Sequence, residues 1–99
     1  MDLQIAEHAA EVLKAVAHPV RLQVIEQLQH QERCVGQLME SLGVQQAVLS
    51  QQLRIMRDKG VLCTRREGTK VFYRIENPNV INLLHCLYSH CQTPEKQSE

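Results

Sequence analysis

Residues 34–59 read CVGQLMESLGVQQAVLSQQLRIMRDK, and this stretch decides the fold. Apolar residues recur at helical spacing on both sides of Gly43-Val44, which predicts a short helix over residues 34–42 and a longer one over 46–59. A glycine is expected just beyond a helix end, and Gly43 follows the first helix in this way. Two helices joined by so tight a turn form a helix-turn-helix. The predicted inward positions are Val35, Leu38, Leu42, Val48, Leu49, Leu53 and Met56.

A pair of short strands is predicted directly after these two helices. Residues 61–66 and 70–76 are rich in β-branched and aromatic residues that favour extended structure. Gly68 lies in the short connection between them, which is typical of a β-hairpin. A two-stranded hairpin after a helix-turn-helix is a wing, so the pattern predicts a mainly α fold with a small β-hairpin, a winged helix-turn-helix.

Three further helices complete the predicted fold. Residues 3–17 carry an apolar stripe, and His18-Pro19 ends this helix because a proline disfavours helical geometry in the residue before it. Residues 20–30 form the second helix. The last helix runs from Asn77-Pro78 to about Cys91. The predicted order is therefore four helices, two strands and a fifth helix.

The composition limits the class of protein. The chain has 99 residues, of which 43% are hydrophobic, as expected for one ordered domain with a small core. It has no apolar run near the ~18 residues of a membrane span. The first ten residues lack the basic-then-apolar layout of a secretion signal. We therefore expect a cytosolic protein with no membrane partner and with cysteines present as reduced thiols.

The charge is zero overall but unevenly distributed. Residues 54–74 hold seven basic and two acidic residues, so this segment has an excess of five positive charges and the rest of the chain an equal excess of negative ones. A local basic segment is typical of a surface that meets phosphate. A face that is merely solvated would give the same count.

The longer helix of the pair has a polar face suited to a DNA groove. Gln46, Ser50 and Arg54 recur every four residues. Glutamine can bond an adenine edge, and arginine a guanine or a phosphate. The wing tip would add contacts to the DNA backbone. The predicted DNA-contacting residues are Gln46, Ala47, Ser50, Gln51, Gln52 and Arg54 on the helix and Arg65, Arg66 and Lys70 on the wing.

A glutamine-rich helix face can also simply meet solvent. The joint occurrence of helix-turn-helix, wing and basic segment favours double-stranded DNA over that alternative. The chain has three aromatic residues, too few for a stacking platform that would bind single strands.

Five segments carry a family resemblance. They are AVAHPVRL at residues 15–22, RCVGQL at 33–38, LSQQLR at 49–54, MRDKGV at 56–61 and RREGTKVFY at 65–73. Together they resemble the ArsR/SmtB family of metal- and thiol-responsive repressors, over about residues 10–91. The resemblance implies a homodimer built by the first and last helices. It also implies repression of a nearby operon that an inducer relieves. We expect no required cofactor.

Three positions depart from the family pattern. Gln45 stands where a serine usually caps the recognition helix, and glutamine is a poor cap. Gln52 replaces the usual histidine and Ala47 a common serine. These departures leave the operator sequence open but not the mode of binding.

The resemblance places the family's zinc ligands on the last helix. They fall on Asn77, Asn79, His90 and Thr93, of which only His90 is a good zinc ligand, so this site looks disabled. The other histidines in the first half of the chain, namely His8, His18 and His30, are interpreted as surface or capping residues.

The candidates for signal sensing are Cys34, Cys86 and Cys91. Cys34 opens the third helix beside Arg33, and both the helix end and the arginine favour a thiolate. Cys86 and His90 are one helical turn apart and could chelate one ion. Cys86 and Cys91 are separated by about 7.5 Å along a helix axis, beyond the ~7 Å that a disulfide spans. A bridge between them needs the helix end to unwind, an intervening sulfur, or the partner subunit. Cys63 is interpreted as ordinary packing.

Two inducer hypotheses follow. One is thiol chemistry with an oxidant or reactive sulfur. The other is a thiophilic metal ion such as arsenite, cadmium or copper(I), held by Cys34 or by Cys86, His90 and Cys91. A sulfide- and redox-sensing branch of the family pairs cysteines on its second and last helices, but Glu26 occupies the second-helix position here. A non-inducible regulator with structural cysteines is the alternative.

Two other classes of protein fit parts of the sequence. A protein-interaction module can use the same winged fold. An enzyme would need Cys86 and His90 as nucleophile and base, but no third orienting group or phosphate loop accompanies them. The predicted organisation is one DNA-binding and dimerisation domain over residues 1–92, followed by a polar, disordered tail over 93–99.

Overall fold

The computed structural model describes residues 1–90 and arranges them as five helices and three short strands. The elements are α1 (Leu3–Val16), α2 (Pro19–Leu28), β1 (Arg33–Cys34), α3 (Val35–Leu42), α4 (Gln46–Asp58), β2 (Leu62–Glu67), β3 (Lys70–Ile75) and α5 (Asn79–His90). The predicted helix-turn-helix, hairpin and flanking helices are all confirmed, with bounds that shift by one or two residues. No helix within these 90 residues is long and apolar enough to cross a membrane.

The sheet has one strand more than the predicted hairpin. Strands β2 and β3 form the expected antiparallel pair, with Glu67 opposite Lys70, and Gly68 adopts a φ of +63° in the turn. Strand β1 adds to the other edge of β3, with Cys34 opposite Phe72. A strand of two residues is too short to show a period in the sequence, which explains why it was not predicted.

The start of α3 also differs from the prediction. Cys34 does not open the helix but precedes it in an extended conformation, with φ −89° and ψ 170°. Its backbone N–H donates to the side-chain oxygen of Gln37 over 3.0 Å. The residue is thus both the last residue of β1 and the N-cap of α3, because its backbone must leave the sheet before the helix begins.

The turn between α3 and α4 follows the sequence signals closely. Gly43 ends α3 in the left-handed conformation, with φ +65°, and its N–H donates to the carbonyl of Met39 over 2.8 Å. Gln45 is the N-cap of α4 and makes no side-chain cap hydrogen bond, as expected for a glutamine. At the start of α2, His18 accepts the N–H of Val20 on Nδ1 over 3.1 Å, which confirms a capping role.

The core lies between the helices and one face of the sheet. Its buried residues are Ala15, Val16, Val24, Ile25, Leu28, Leu38, Leu49, Leu53, Met56, Val61, Leu62, Val80 and Leu84. Val48 was predicted to face inward, but it is 41% exposed. The correction has a geometric reason, since successive helical residues are rotated by about 100° and Leu49 already points at the core.

Candidate nucleic-acid interface

Helix α4 is held by one face and open on the other. Leu49, Leu53 and Met56 are fully buried against the core. The opposite face exposes Ala47, Ser50, Gln51 and Arg54, all predicted DNA contacts, and Gln46 is exposed at the start of the helix. A helix fixed along one side and bearing short polar groups on the other can enter a DNA major groove without reorganising its core face.

This open face continues onto the sheet. A depression of about 390 Å³ is lined by Ala47, Ser50, Gln51, Arg54, Arg57 and Tyr73. Arg57 and Tyr73 were not among the predicted contacts. Arg57 lies seven residues after Ser50 and therefore on the same side of the helix, a spacing that could have revealed it. Tyr73 gave no such signal, because its place beside α4 depends on how the wing packs.

Gln52 does not share the open face. It is 8% exposed, and its side-chain oxygen accepts a hydrogen bond of 2.7 Å from Nε of Arg21. The expectation that Gln52 lies on the exposed face beside Gln51 is corrected, because its side chain is buried and hydrogen-bonded within the protomer. Helical spacing could have separated it from Gln51, because Gln52 lies three residues after Leu49 and four before Met56, on the buried side of the helix.

Arg65 of the wing is also occupied within the protomer. Its Nε donates to Glu32 over 2.7 Å, its Nη2 contacts the same carboxylate oxygen, and its Nη1 donates to Glu67 over 2.6 Å. The guanidinium also lies 4.7 Å from the centroid of the Phe72 ring. These bonds raise the pKa of Arg65 above its ordinary value and lower the pKa of Glu32. Its charge is matched by two carboxylates within the protomer, so Arg65 stays a predicted phosphate contact whose charge is already paired.

Arg66 and Lys70, unlike Arg65, have no carboxylate partner within residues 1–90. Both side chains are exposed near the hairpin turn, and neither forms an ion pair with any residue of the part of the chain that is described. Arg54 on α4 is likewise exposed and without an ion pair there. Three cations without counterions on one helix and one hairpin provide the local positive field expected of a phosphate-binding surface.

The predicted sensor residues within residues 1–90 lie on two separate elements. Cys34 is half-buried and lines a depression of about 600 Å³ with Gln37, Glu40 and Lys70 among its walls. Cys86 and His90 lie on the exposed stripe of α5, and Cys91 lies outside the described residues. Within residues 1–90 of one protomer, no three His, Cys, Asp or Glu side chains are grouped as metal ligands. Burial and a hydrogen bond with Glu76 raise the pKa of Cys63, which agrees with a packing role.

Residues 1–90 leave two apolar surfaces uncovered. On α1, Leu3 is 72% exposed, Ile5 56% and Leu13 51%. Between α2 and α5, a depression of about 420 Å³ is lined by Leu22, Gln23, Glu26, Leu84, Leu87 and Tyr88. Large exposed aliphatic side chains on one helix and an apolar groove on two others are features of surfaces that another chain covers.

Comparisons with known proteins agree with this arrangement. Residues 18–62 match the family described as "Bacterial regulatory protein, arsR family". The chain is 39% identical over 93 residues to the biofilm growth-associated repressor of Xylella fastidiosa, covering 94% of this chain and 82% of that protein. The crystal structure of the transcriptional repressor BigR from Xylella fastidiosa superposes with a TM-score of 0.84 at 36% identity, covering 91% of this chain and 93% of that one. Reduced HlyU from Vibrio cholerae N16961 gives a TM-score of 0.81 at 34% identity, covering 90% and 95%.

Proposed function

Because this chain belongs to the ArsR family of bacterial regulatory proteins, a family of winged-helix transcription regulators, we propose that it represses transcription by binding double-stranded operator DNA as a homodimer. The observation that carries the proposal is the open face of α4, where Ala47, Ser50, Gln51 and Arg54 stand opposite a fully buried face. Such a repressor acts where the bacterial chromosome is, in the cytosol.

The contacts divide into base-reading and phosphate-binding groups. Gln51 and Ser50 can hydrogen-bond base edges, and Ala47 can pack against a thymine methyl group. Gln46 and Arg54 lie at the two ends of the same face. Arg66 and Lys70 neutralise phosphates beside the groove, which positions the helix without reading sequence. Arg57 and Tyr73 extend this surface between helix and wing.

The homodimer is proposed from the uncovered apolar surfaces. The first half of α1 exposes Leu3 and Ile5, and the groove between α2 and α5 offers apolar walls. A two-fold dimer would bury both surfaces twice, because each subunit contributes the same patch. It would also present two copies of α4 to two half-sites, as palindromic operators require.

DNA binding is tested with a duplex that the protein itself selects from a random library. Fluorescence anisotropy at several salt concentrations should show log affinity falling with log salt, with a slope of about −0.9 for each neutralised phosphate. Gln51→Ala should cost about 5- to 150-fold on the selected duplex and much less on a scrambled one. Lys14→Gln removes an exposed positive charge from α1 and should leave both affinities unchanged. Binding that shows neither salt dependence nor sequence preference would favour a protein-interaction module.

We propose further that an inducer lowers DNA affinity by acting on cysteines. Cys34 lies where the sheet enters α3, and its backbone pairs with Phe72, whose ring packs against Arg65. Reaction of the Cys34 thiol with an oxidant or reactive sulfur would enlarge this junction and displace the wing. Cys86 and Cys91 are the other candidates. A thiophilic ion on Cys34 would need further ligands from the second subunit. An ion on Cys86 and His90 would need Cys91 or the second subunit to complete its ligands.

The inducer is tested by intact mass and DNA affinity together. The reduced protein is treated separately with peroxide, polysulfide, arsenite, cadmium and copper(I). Loss of two hydrogen atoms, or added sulfur, accompanied by weaker DNA binding supports thiol chemistry, and a retained ion with unmodified thiols supports metal sensing. Serine variants of Cys34, Cys86 and Cys91 then identify the responding residue. Unchanged DNA affinity under every treatment would overturn the inducer and leave a non-inducible repressor.

An enzyme built on Cys86 and His90 is disfavoured. The proteins of similar sequence and structure are transcription regulators by name. The exposure of both side chains on α5 also gives a nucleophile no enclosed pocket.

A further inference from the structure

The recognition helix holds a buried polar side chain. Gln52 is the only polar residue that is buried among residues 1–90, on the same side of α4 as Leu49 and Leu53. An amide placed there without a partner would cost free energy, since it leaves water without replacing its hydrogen bonds. The hydrogen-bond partner of Gln52 therefore helps to hold α4 in place against the core.

The partner of Gln52 is Arg21, which joins three helices. From its place on α2, Arg21 donates from Nε to the side-chain oxygen of Gln52 over 2.7 Å and from Nη1 to the carbonyl of Lys14 over 2.9 Å. Lys14 belongs to the last turn of α1, where a positive charge is favourable because the helix dipole is negative at that end. The guanidinium is planar, so the two acceptors are held in a fixed relative geometry.

The bond is better suited to orientation than to stability. Replacing both partners of a buried hydrogen bond with apolar groups of the same shape is often neutral for stability. A hydrogen bond is directional, however, whereas apolar side chains of similar size pack in several ways. A second link between α1 and α4, the ion pair of Glu11 with Lys59 at 3.3 Å, is about half exposed. Such exposed pairs hold geometry weakly.

We propose that Arg21 is a positioning residue that fixes the recognition helix on the dimerising helix α1 and so sets the distance between the two half-sites that the dimer binds. The inference rests on the proposed function, because it needs operator binding by a homodimer built on α1. Half-sites lie about 34–36 Å apart when they face the same side of the duplex. A change in how α4 sits on α1 therefore shifts both helices against their sites without altering any base contact.

The test compares spacing preference among variants. The selected operator is compared with versions in which one or two base pairs are inserted or deleted between the half-sites, and with a duplex that carries one half-site. The wild type should strongly prefer the original spacing. Gln52→Leu should bind the original operator about tenfold more weakly, since a hydrogen bond to a charged group corresponds to about one to two decades in an equilibrium constant. The Gln52→Leu variant should bind the respaced duplexes nearly as tightly as it binds the original operator. Its affinity for the duplex with one half-site should equal that of the wild type.

Three further variants complete the design. Gln52→Glu keeps an acceptor for Arg21 and should restore the spacing preference. Arg21→Lys has no planar fork to span Gln52 and Lys14, so it should behave as Gln52→Leu does and serves in its place if that variant does not fold. Glu11→Gln removes the exposed link between α1 and α4 and should match the wild type.

The possible failures are distinguishable. If the wild type and Gln52→Leu both bind the operator with the same spacing preference, the positioning role is wrong and the proposed function stands. A weaker affinity of Gln52→Leu for the single half-site, with spacing preference retained, would also overturn the inference, since the loss would lie in the base contacts. If the wild type binds none of the duplexes, the proposed function fails and this inference with it.

Discussion

Neighbouring arginines of the wing differ in what surrounds their charges. The guanidinium of Arg65 is matched by Glu32 and Glu67, whereas Arg66 has no ion-pair partner within residues 1–90. Arg66→Gln should therefore weaken operator binding and reduce the slope of log affinity against log salt by about one phosphate contact. Arg65→Gln should leave that slope nearly unchanged, because its charge is already neutralised. Anisotropy titrations of the two variants at four or more salt concentrations measure both slopes.

Equal salt slopes for the two variants would contradict this distinction. They would mean that Arg65 leaves its carboxylates when DNA arrives. The matched variant Glu32→Gln addresses that outcome, because it removes one of the two carboxylates that pair with Arg65 and leaves the charge of Arg65 and its bond to Glu67 in place. The hydrogen bond from Arg65 lowers the pKa of the Glu32 carboxyl. The ion pair is therefore present above that lowered pKa and is lost as the pH falls through it. The ion pair between Arg65 and Glu32 should accordingly be formed at neutral pH.

His18 makes a second prediction at the residue scale. Its Nδ1 accepts the N–H of Val20 and so caps α2. His18→Ala should lower the free energy of unfolding by about 0.5–2 kcal/mol, and His18→Asn should preserve it because asparagine is a good N-cap. Urea unfolding at one fixed protein concentration measures the change. His30 is exposed and caps no helix, so His30→Ala should stay within about 0.5 kcal/mol of the wild type. A loss in His30→Ala as large as that in His18→Ala would remove the capping explanation.

At the scale of elements, two glycines of the helix-turn-helix should respond to alanine in opposite directions. Gly43 ends α3 with a φ of +65°, and a Cβ there would meet no atom within 4 Å, so the cost of Gly43→Ala is one of backbone conformation alone. It should be about 1–2 kcal/mol. Gly36 lies inside α3 with equally open space, so Gly36→Ala should stabilise by about 0.5–1 kcal/mol. Thermal unfolding of both variants checks the signs. A Gly43→Ala variant as stable as the wild type would mean that the turn does not depend on the left-handed residue, and a destabilised Gly36→Ala would contradict the expectation for Gly36 alone.

The same elements indicate how far the sequence alone could go. The helices and the hairpin were predictable, because periodicity, proline and glycine mark them locally. Strand β1 was not predictable from the sequence, since its pairing with Phe72 and Tyr73 depends on where the wing lies. Within α4 the spacing identified Ser50 and Arg54 as exposed but misplaced Val48 and Gln52. Periodicity gives the direction of a helical face but not its width, and that width is set by what packs beside it.

At the scale of the whole molecule, the exposed apolar residues of α1 need a partner surface, and the proposed partner is a second subunit. Ile5 is 56% exposed in the protomer. It belongs to the same apolar stripe of α1 as Val12, which is partly buried, and Val16, which is buried. Burying one isoleucine contributes about 1.5–3 kcal/mol, and a two-fold interface contains it twice. Ile5→Glu should therefore raise the dimer dissociation constant by at least about 100-fold. Sedimentation velocity over a range of concentrations measures this constant directly.

The consequence for DNA follows from the geometry of two half-sites. A monomer places a single α4 in the groove, so Ile5→Glu should lose most of its affinity for the two-site operator and little for a duplex with one half-site. Gln4→Glu adds the same charge one position earlier, on the exposed polar side of α1, and should remain a dimer with wild-type affinity. If Ile5→Glu also remains a dimer of unchanged affinity, α1 is not the dimer surface. The groove between α2 and α5 would then be the surface to alter next, through Leu87→Glu, because it is a second apolar surface that residues 1–90 leave open.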